Sequence, residues 1–178
     1  AGTSIHHLLF EETDIKNYRT FFKLRPPLRS NSDKLFLLQN IKDSTLDTIS
    51  SFHLPQDEES KRLPYEKAAF GAIGLQTLLP ACLKLVNDKI IDLPQLFRKI
   101  SLNPAKILNI KSGILEEGYF ADLVLFDPDK PLIVDRFNLL SKAKNTPFDG
   151  YQLFGEVLKT FVKGKEIYKS RNINDTWY

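Results

Sequence analysis

Leu46-Asp47-Thr48-Ile49-Ser50-Ser51-Phe52-His53-Leu54-Pro55-Gln56 is the stretch on which the fold turns. From Leu46 to Phe52 it gathers β-branched and apolar side chains, bounded by Asp43-Ser44 before and His53-Leu54-Pro55 after. That pattern predicts a strand of ordinary length. The strand ends in Phe-His-Leu-Pro, where a plain turn would carry Gly, Asn or Asp, so its tip has some use other than reversing the chain. A polar, highly charged loop follows from Leu54 to Pro64. After it, Phe70, Ile73, Leu78, Cys82 and Leu85 predict a long apolar helix over Tyr65–Val86.

Working outward, Ser4–Phe10 is an apolar run of strand length, and the acidic Glu11-Glu12-Thr13-Asp14 reads as a helix start. Pro26-Pro27 removes two backbone donors, so Phe21–Arg29 is expected to be a loop or a rim. Leu35, Leu38 and Ile41 share one helical face over Asp33–Ile41. Downstream, Leu93–Ile100 predicts a helix with Pro94 in its first turn, and Asn103-Pro104-Ala105 is expected to cap another that runs to about Leu108. Beyond Ile110 the texture becomes β: Ala121–Phe126 reads as a buried strand, and Val157–Val162, Lys163-Gly164 and Lys165–Tyr168 as a tight hairpin. The polar tail Lys169–Tyr178 is expected to fray. This order implies an α/β layer with a small sheet attached. An eight-stranded barrel takes roughly 250 residues, so any barrel here is its second part only.

The 178 residues are 42% hydrophobic and 26% charged, which excludes a disordered chain and allows one domain, or one with an appendage. No apolar run approaches the ~20 residues of a spanning helix, and the first residues carry histidines and glutamates where a signal peptide is apolar. Membrane and secretion are therefore not expected. Lys plus Arg number 25 against 22 Asp plus Glu, without a basic block interleaved with aromatics, so nucleic acid is not an implied partner. The single cysteine, Cys82, lies among leucines as a small buried hydrophobe, and a reducing, cytoplasmic compartment fits. Methionine is absent, and the chain opens directly into the apolar patch Ile5–Phe10. We expect a fragment whose first half is missing.

Four stretches, in order, resemble class I dihydroorotases, the zinc amidohydrolases of pyrimidine synthesis. Ser4-Ile5-His6-His7-Leu8-Leu9 is similar to the family's Pro-His-His-Leu, and Lys23-Leu24-Arg25-Pro26-Pro27-Leu28-Arg29 to its Lys-x-Asn-Pro-Pro-Leu-Arg. The opening stretch resembles the strand that ends in Thr-Asp-His-Ala-Pro-His, and Gly71-Ala72-Ile73-Gly74-Leu75-Gln76-Thr77 resembles Gly-x-x-Gly-Leu-Glu-Thr. Asn103-Pro104-Ala105, Gly113 to Gly118 and Ala121–Asp127 resemble the return of amidohydrolase chains into a small β-sandwich. The resemblance implies an α/β fold: residues 1–108 as the C-terminal part of a (β/α)₈ barrel, and 109–178 as part of a composite β-sandwich with a polar tail.

It also implies a site, altered. The reaction needs a metal-bound hydroxide, a metal on the amide carbonyl and a carboxylate that moves the proton. The family's aspartate for that task stands where this chain has Phe52, so no catalytic residue is expected here. Two substrate-binding positions are also substituted: Arg25 for asparagine and Gln56 for histidine. Pro26, Pro27, Gly71 and Gly74 are unchanged. His6 is the candidate metal ligand, with His7 and His53 the other histidines; the plainer reading makes His6 and His7 strand-end residues bonded to backbone. Arg25 and Arg29 flank the prolines and either hold a carboxylate or stay solvated. Gly71 and Gly74 are too close together for a phosphate loop and more readily serve packing.

We therefore expect a dihydroorotase-like protein that is catalytically inactive and acts as a scaffold for aspartate carbamoyltransferase, the enzyme this class accompanies, with no cofactor in this chain. The alternative is an active zinc-dependent cyclic amide hydrolase whose remaining ligands lie in the missing N-terminal half of the barrel. A fragment with no function of its own is a third reading.

Overall fold

The computed structural model describes residues 1–170. Two short strands, β1 (Gly2–Ser4) and β2 (Thr48–Ser50), run parallel, with Gly2 opposite Thr48 and Ser4 opposite Ser50. The strand expected over Leu46–Phe52 is present in its central three residues. Its start is pinned from outside: the Lys99 ammonium donates to the Leu46 carbonyl at 2.7 Å, and the Asn103 amide to that of Asp47 at 2.9 Å.

The strand expected over Ser4–Phe10 is corrected to a helix, α1 (Ile5–Leu9), that begins where β1 stops. Ser4 is its cap, with an extended backbone and a hydroxyl that accepts from the His7 N–H. Ile5 and Leu8, three apart, are fully buried, each worth about 1.5–3 kcal/mol of burial. A short apolar run does not by itself distinguish the two periods, and the serine before it decides. The acidic tetrad forms only a single 3₁₀ turn, Glu12–Ile15. The next helix, α2 (Asn31–Lys42), is capped by Ser30 and Asp33 reciprocally.

The long helix expected over Tyr65–Val86 is shortened to α4 (Leu78–Asn87), preceded by a small helix, α3 (Glu58–Arg62), inside what reads as a polar loop. Residues 64–77 are irregular because their carbonyls are claimed from elsewhere. Lys23 Nζ donates to the carbonyls of Tyr65 at 2.6 Å and Glu66 at 2.8 Å, and Lys61 Nζ to that of Ala69 at 2.7 Å. Gly71 adds a left-handed turn, φ +125°, against which the Leu54 side chain packs so closely that a β-carbon has no room. In α4, Leu78, Ala81, Cys82 and Leu85 form the inward stripe, and Pro80 falls in the first turn, where its missing N–H costs nothing. Cys82 is buried and burial pushes its thiol pKa up, as an inert hydrophobe requires.

The helix α5 (Leu93–Phe97) continues through one wider turn at Arg98–Leu102 into α6 (Asn103–Ile107). Asn103 is therefore not a cap: its backbone is helical (φ −65°, ψ −45°) and its side chain bonds to Asp47. Past residue 122, β3 (Leu123–Ile133), β4 (Gln152–Val162) and β5 (Lys165–Lys169) form an antiparallel sheet in that order, joined between the last two by the expected Lys163-Gly164 turn. The strand expected to be buried over Ala121–Phe126 is exposed on Leu123, Val124 and Leu125. Consecutive strand residues point to opposite faces, so this end of the sheet has exposed apolar side chains on both. The sheet joins the α/β part at Gly155, where a β-carbon would collide with the Leu83 side chain of α4. The tail, from residue 171, lies outside the described residues, and no described helix is long and apolar enough to cross a membrane.

Candidate functional site

Chain leaving β1 and chain leaving β2 emerge on the same rim, because parallel strands end together. The first delivers His6 and His7, the second Phe52 and His53. Phe52 has φ +47°, a backbone conformation that Asp and Asn tolerate far better than an aromatic residue. Its ring stands edge-on to His7, 6.5 Å between centres, and is 45% exposed. Phe52 thus occupies the rim beside the histidines, where the sequence places the missing carboxylate.

The three histidines differ in what their nitrogens already do. His7 Nε2 lies 3.0 Å from the Pro26 carbonyl, an acceptor only, so it carries the proton; Nδ1, 2.6 Å from Ser4 Oγ, accepts from that hydroxyl. His53 Nδ1 accepts from the backbone N–H groups of Gly74 and Leu75, both at 3.2 Å. His6 makes no hydrogen bond through either ring nitrogen among the described residues, although it is 1% exposed and stacked on Phe148 at 5.4 Å. The reading of His6 and His7 as strand-end residues is therefore corrected, since both lie in α1; His7 has its backbone partner at Pro26, whereas the Ile73 backbone comes near the His6 ring without a hydrogen bond of regular geometry. Burial, with the neighbouring His7 adding to it, brings the His6 pKa down to about 4, so it is neutral near pH 7. Gly74 permits this packing, since a β-carbon there would lie 2.9 Å from His6 Cε1.

A zinc centre takes three or four ligands. Only the His6 ring offers an uncommitted lone pair, and the described residues contain no group of three or more His, Cys, Asp or Glu side chains placed to share an ion. The residues present do not fit a complete metal centre.

Arg25 is exposed, its guanidinium carbon 5.8 Å from the centre of the Phe70 ring, while Arg29 pairs with Asp33 one helical turn on at 3.4 Å. Gln56 sits apart from both. Its backbone N–H donates to Asn145 Oδ1 at 3.3 Å, and it lines a cleft of about 380 Å³ to which Arg25 does not contribute. Three residues that sequence reasoning passed over hold this rim together. Asn145, buried, donates to the carbonyls of Leu54 and Gly71 and so ties the loop after β2 to the segment before α4. Lys23 and Lys61 tie the same segment to residues 20–23; Lys61 also donates to the Thr20 carbonyl at 2.8 Å. Burial, reinforced by the charge of Lys23, brings the Lys61 pKa down to about 8. The signal for Asn145 was a turn-rich Asn-Thr-Pro-Phe-Asp-Gly run and for Lys23 its place in the Lys-x-Asn-Pro-Pro-Leu-Arg resemblance, while for Lys61 there was none.

The description of the amidohydrolase family matches residues 68–167, more than half of the sequence. This chain belongs to the amidohydrolase family. Within that family its relatives include the dihydroorotase of Syntrophus aciditrophicus (strain SB), 41% identical over 169 residues that cover 95% of this chain and 40% of the relative. The dihydroorotase of Lactobacillus leichmannii is 40% identical over 177 residues, 98% of this chain and 41% of the relative. A solved structure of the L-hydantoinase (dihydropyrimidinase) from Arthrobacter aurescens superposes with a TM-score of 0.90 at 29% identity, covering 94% of this chain and 39% of that one. The chain spans about two fifths of the length of the relatives it matches. It is a dihydroorotase-like amidohydrolase, and its α/β part is part of an amidohydrolase barrel.

Proposed function

We propose that the full-length protein is a dihydroorotase homologue that has lost catalysis and persists as a scaffold for aspartate carbamoyltransferase. One observation carries the loss. Phe52, not a carboxylate, sits on the rim beside His7, in a backbone conformation that suits aspartate better. A phenyl ring neither binds a metal nor moves a proton, and the described residues contain no group of three or more His, Cys, Asp or Glu side chains placed to share an ion. Arg25 and Gln56 alter two further substrate positions. On this reading β3–β5 are one portion of a small sandwich, residues 109–178, beside a barrel part of residues 1–108, and the rest of the barrel is supplied by the preceding half of the protein in the cytoplasm.

The partner reading rests on the family resemblance and on what is left to act with, which is surface. Within the loop Leu54–Pro64, Lys61 is buried and holds two carbonyls, so it is not free to touch a partner. Contact through this loop therefore falls to its outward residues, Asp57, Glu58, Glu59 and Arg62. The test is metal analysis, dihydroorotate turnover and co-sedimentation with aspartate carbamoyltransferase at micromolar concentration, all on the full-length protein. No turnover, with a complex weakened by substituting Glu58, Glu59 and Arg62, supports the scaffold. Turnover, or two proteins that sediment separately, overturns it.

His6 favours a second reading. A buried imidazole with both nitrogens unpartnered is expensive, and a metal completed by ligands from the preceding half would use it. The full-length protein would then be a zinc-dependent dihydroorotase with a proton shuttle other than residue 52. Stoichiometric zinc together with turnover selects this reading; Phe52→Asp alone should not create turnover under the first, because Arg25 and Gln56 remain.

A further inference from the structure

The cleft beside Gln56 borders the outward residues Asp57 and Glu58 of the proposed contact and has a charge pattern of its own. Its lining includes Lys61, Gln56, Arg136, Lys142, Lys144 and Phe21. A second hollow of about 390 Å³ shares Phe21, Lys61 and Arg136 and adds Arg19 and Arg62. Against these six basic residues the lining sets two carboxylates, both engaged: Asp57 accepts the Ser60 N–H at the start of α3, and Glu58 pairs with Arg62 at 2.6 Å. Arg19 and Arg136 share the single carboxylate of Asp149, at 3.5 and 3.7 Å.

Several of these donors are held in place yet underused. The Arg136 guanidinium carbon lies 5.2 Å from the Phe21 ring centre and 4.5 Å from that of Phe137, which fixes the plane of the fork, while its Nε is buried without a hydrogen bond. Lys61 spends two of its three N–H donors on backbone carbonyls. Lys142 has no hydrogen bond or ion pair among the described residues. Like charges gathered in a concave, partly apolar wall concentrate a positive potential, and an immobilised arginine fork suits an oxyanion. A monocarboxylate would offset only one charge of the excess; a phosphate group offsets about two.

We propose that this cleft is a binding site for a small phosphate-bearing anion, gripped by Arg136 and Lys142 with Lys61 at its base. Free phosphates and phosphate monoesters share that chemistry. Inorganic pyrophosphate titrated calorimetrically into the full-length protein at fixed ionic strength should bind saturably at one site per chain. Arg136→Gln should weaken it about tenfold, as loss of a charge-assisted fork does. Lys142→Gln should weaken it about threefold by removing one screened charge. Because Lys142 supports no contact in the fold, its variant keeps the test open if Arg136→Gln fails to fold. Competition by inorganic phosphate and by glycerol phosphate then tells the free ion from the ester. Absence of saturable binding up to ~10 mM, or binding indifferent to both substitutions, overturns the site. Neither result depends on whether the protein turns over dihydroorotate.

Discussion

In the α/β part of the chain Ile5, Leu8, Ile41 and Leu85 are each 1% exposed or less, whereas in the sheet Val124, Leu125, Ile133 and Ile167 are each more than half exposed. Both regions follow a regular apolar pattern. The difference is the number of layers. The helices of the first region close over β1 and β2 with a shared core, while the sheet meets that core near Leu153 and Val134 and leaves apolar side chains exposed on both faces elsewhere. Apolar exposure on that scale marks a surface meant to be covered. The lesson is that the α/β part carries its own stability, and the sheet depends on what lies against it.

The contrast breaks most visibly at its seam. Leu83 sits on α4 against Gly155 of β4, so Leu83→Ala should cost about 2–5 kcal/mol in a denaturant titration of the full-length protein, as a cavity in a core does. A loss below about 1 kcal/mol would mean that the two regions are not mechanically joined there.

Next comes the buried ammonium of Lys61. Its folded pKa, about 8, lies below the ordinary lysine value of 10.5, so between those pH values the unfolded chain binds more protons. Stability should therefore rise with pH across that window, by up to about 1.4 kcal/mol per unit, the penalty on the buried charge being fully present below pH 8. The neutral amine still has N–H donors for both carbonyls. Comparing denaturation midpoints of the parent and Lys61→Met from pH 7.5 to about 9.5 isolates this slope; parallel curves would show that Lys61 is solvated.

Asn145→Ala removes the donor to two carbonyls and the acceptor for Gln56 N–H, and should cost about 1–3 kcal/mol. Hydrogen exchange should quicken at Gln56, whose amide donates to the Asn145 side chain, more than at Ile73, whose amide donates to the Asn145 backbone carbonyl that alanine keeps, and not in β3.

The smallest effect is expected at the exposed end of the sheet. Leu125→Ala should stay within about 0.5 kcal/mol if that side of the sheet remains solvated. A cost above about 2 kcal/mol in the full-length protein would show that another part of it covers the face, and would turn the contrast between the regions into a statement about this chain alone.

Legibility followed the range of the interaction. The helix after Ser30, the strand centred on Ile49 and the hairpin at Lys163-Gly164 were readable because caps, periods and turns act within a few residues. The substitution at Phe52 is implied by the family resemblance alone, and its place on the rim comes from the pairing of β1 with β2. Tyr65–Leu75 was misread as helix because its apolar spacing is helical, while the lysines that draw its carbonyls away are residues 23 and 61. Ala121–Phe126 was misread as buried because a strand's apolar content says that it prefers cover, not that cover is present.

By itself, then, the sequence determined those elements that caps, periods and turns specify, and the family to which its ordered motifs point. Only tertiary structure decided that His6, His7, Phe52 and His53 share one rim, which of those histidines keeps a free nitrogen, that a charged loop hides a buried lysine, and that six cations line two adjoining hollows, four of them in the cleft beside Gln56. The physical reason is one of reach. Capping, periodicity and turns are settled by atoms a few residues apart, whereas desolvation, hydrogen-bond competition and summed charge depend on groups that the fold alone brings together.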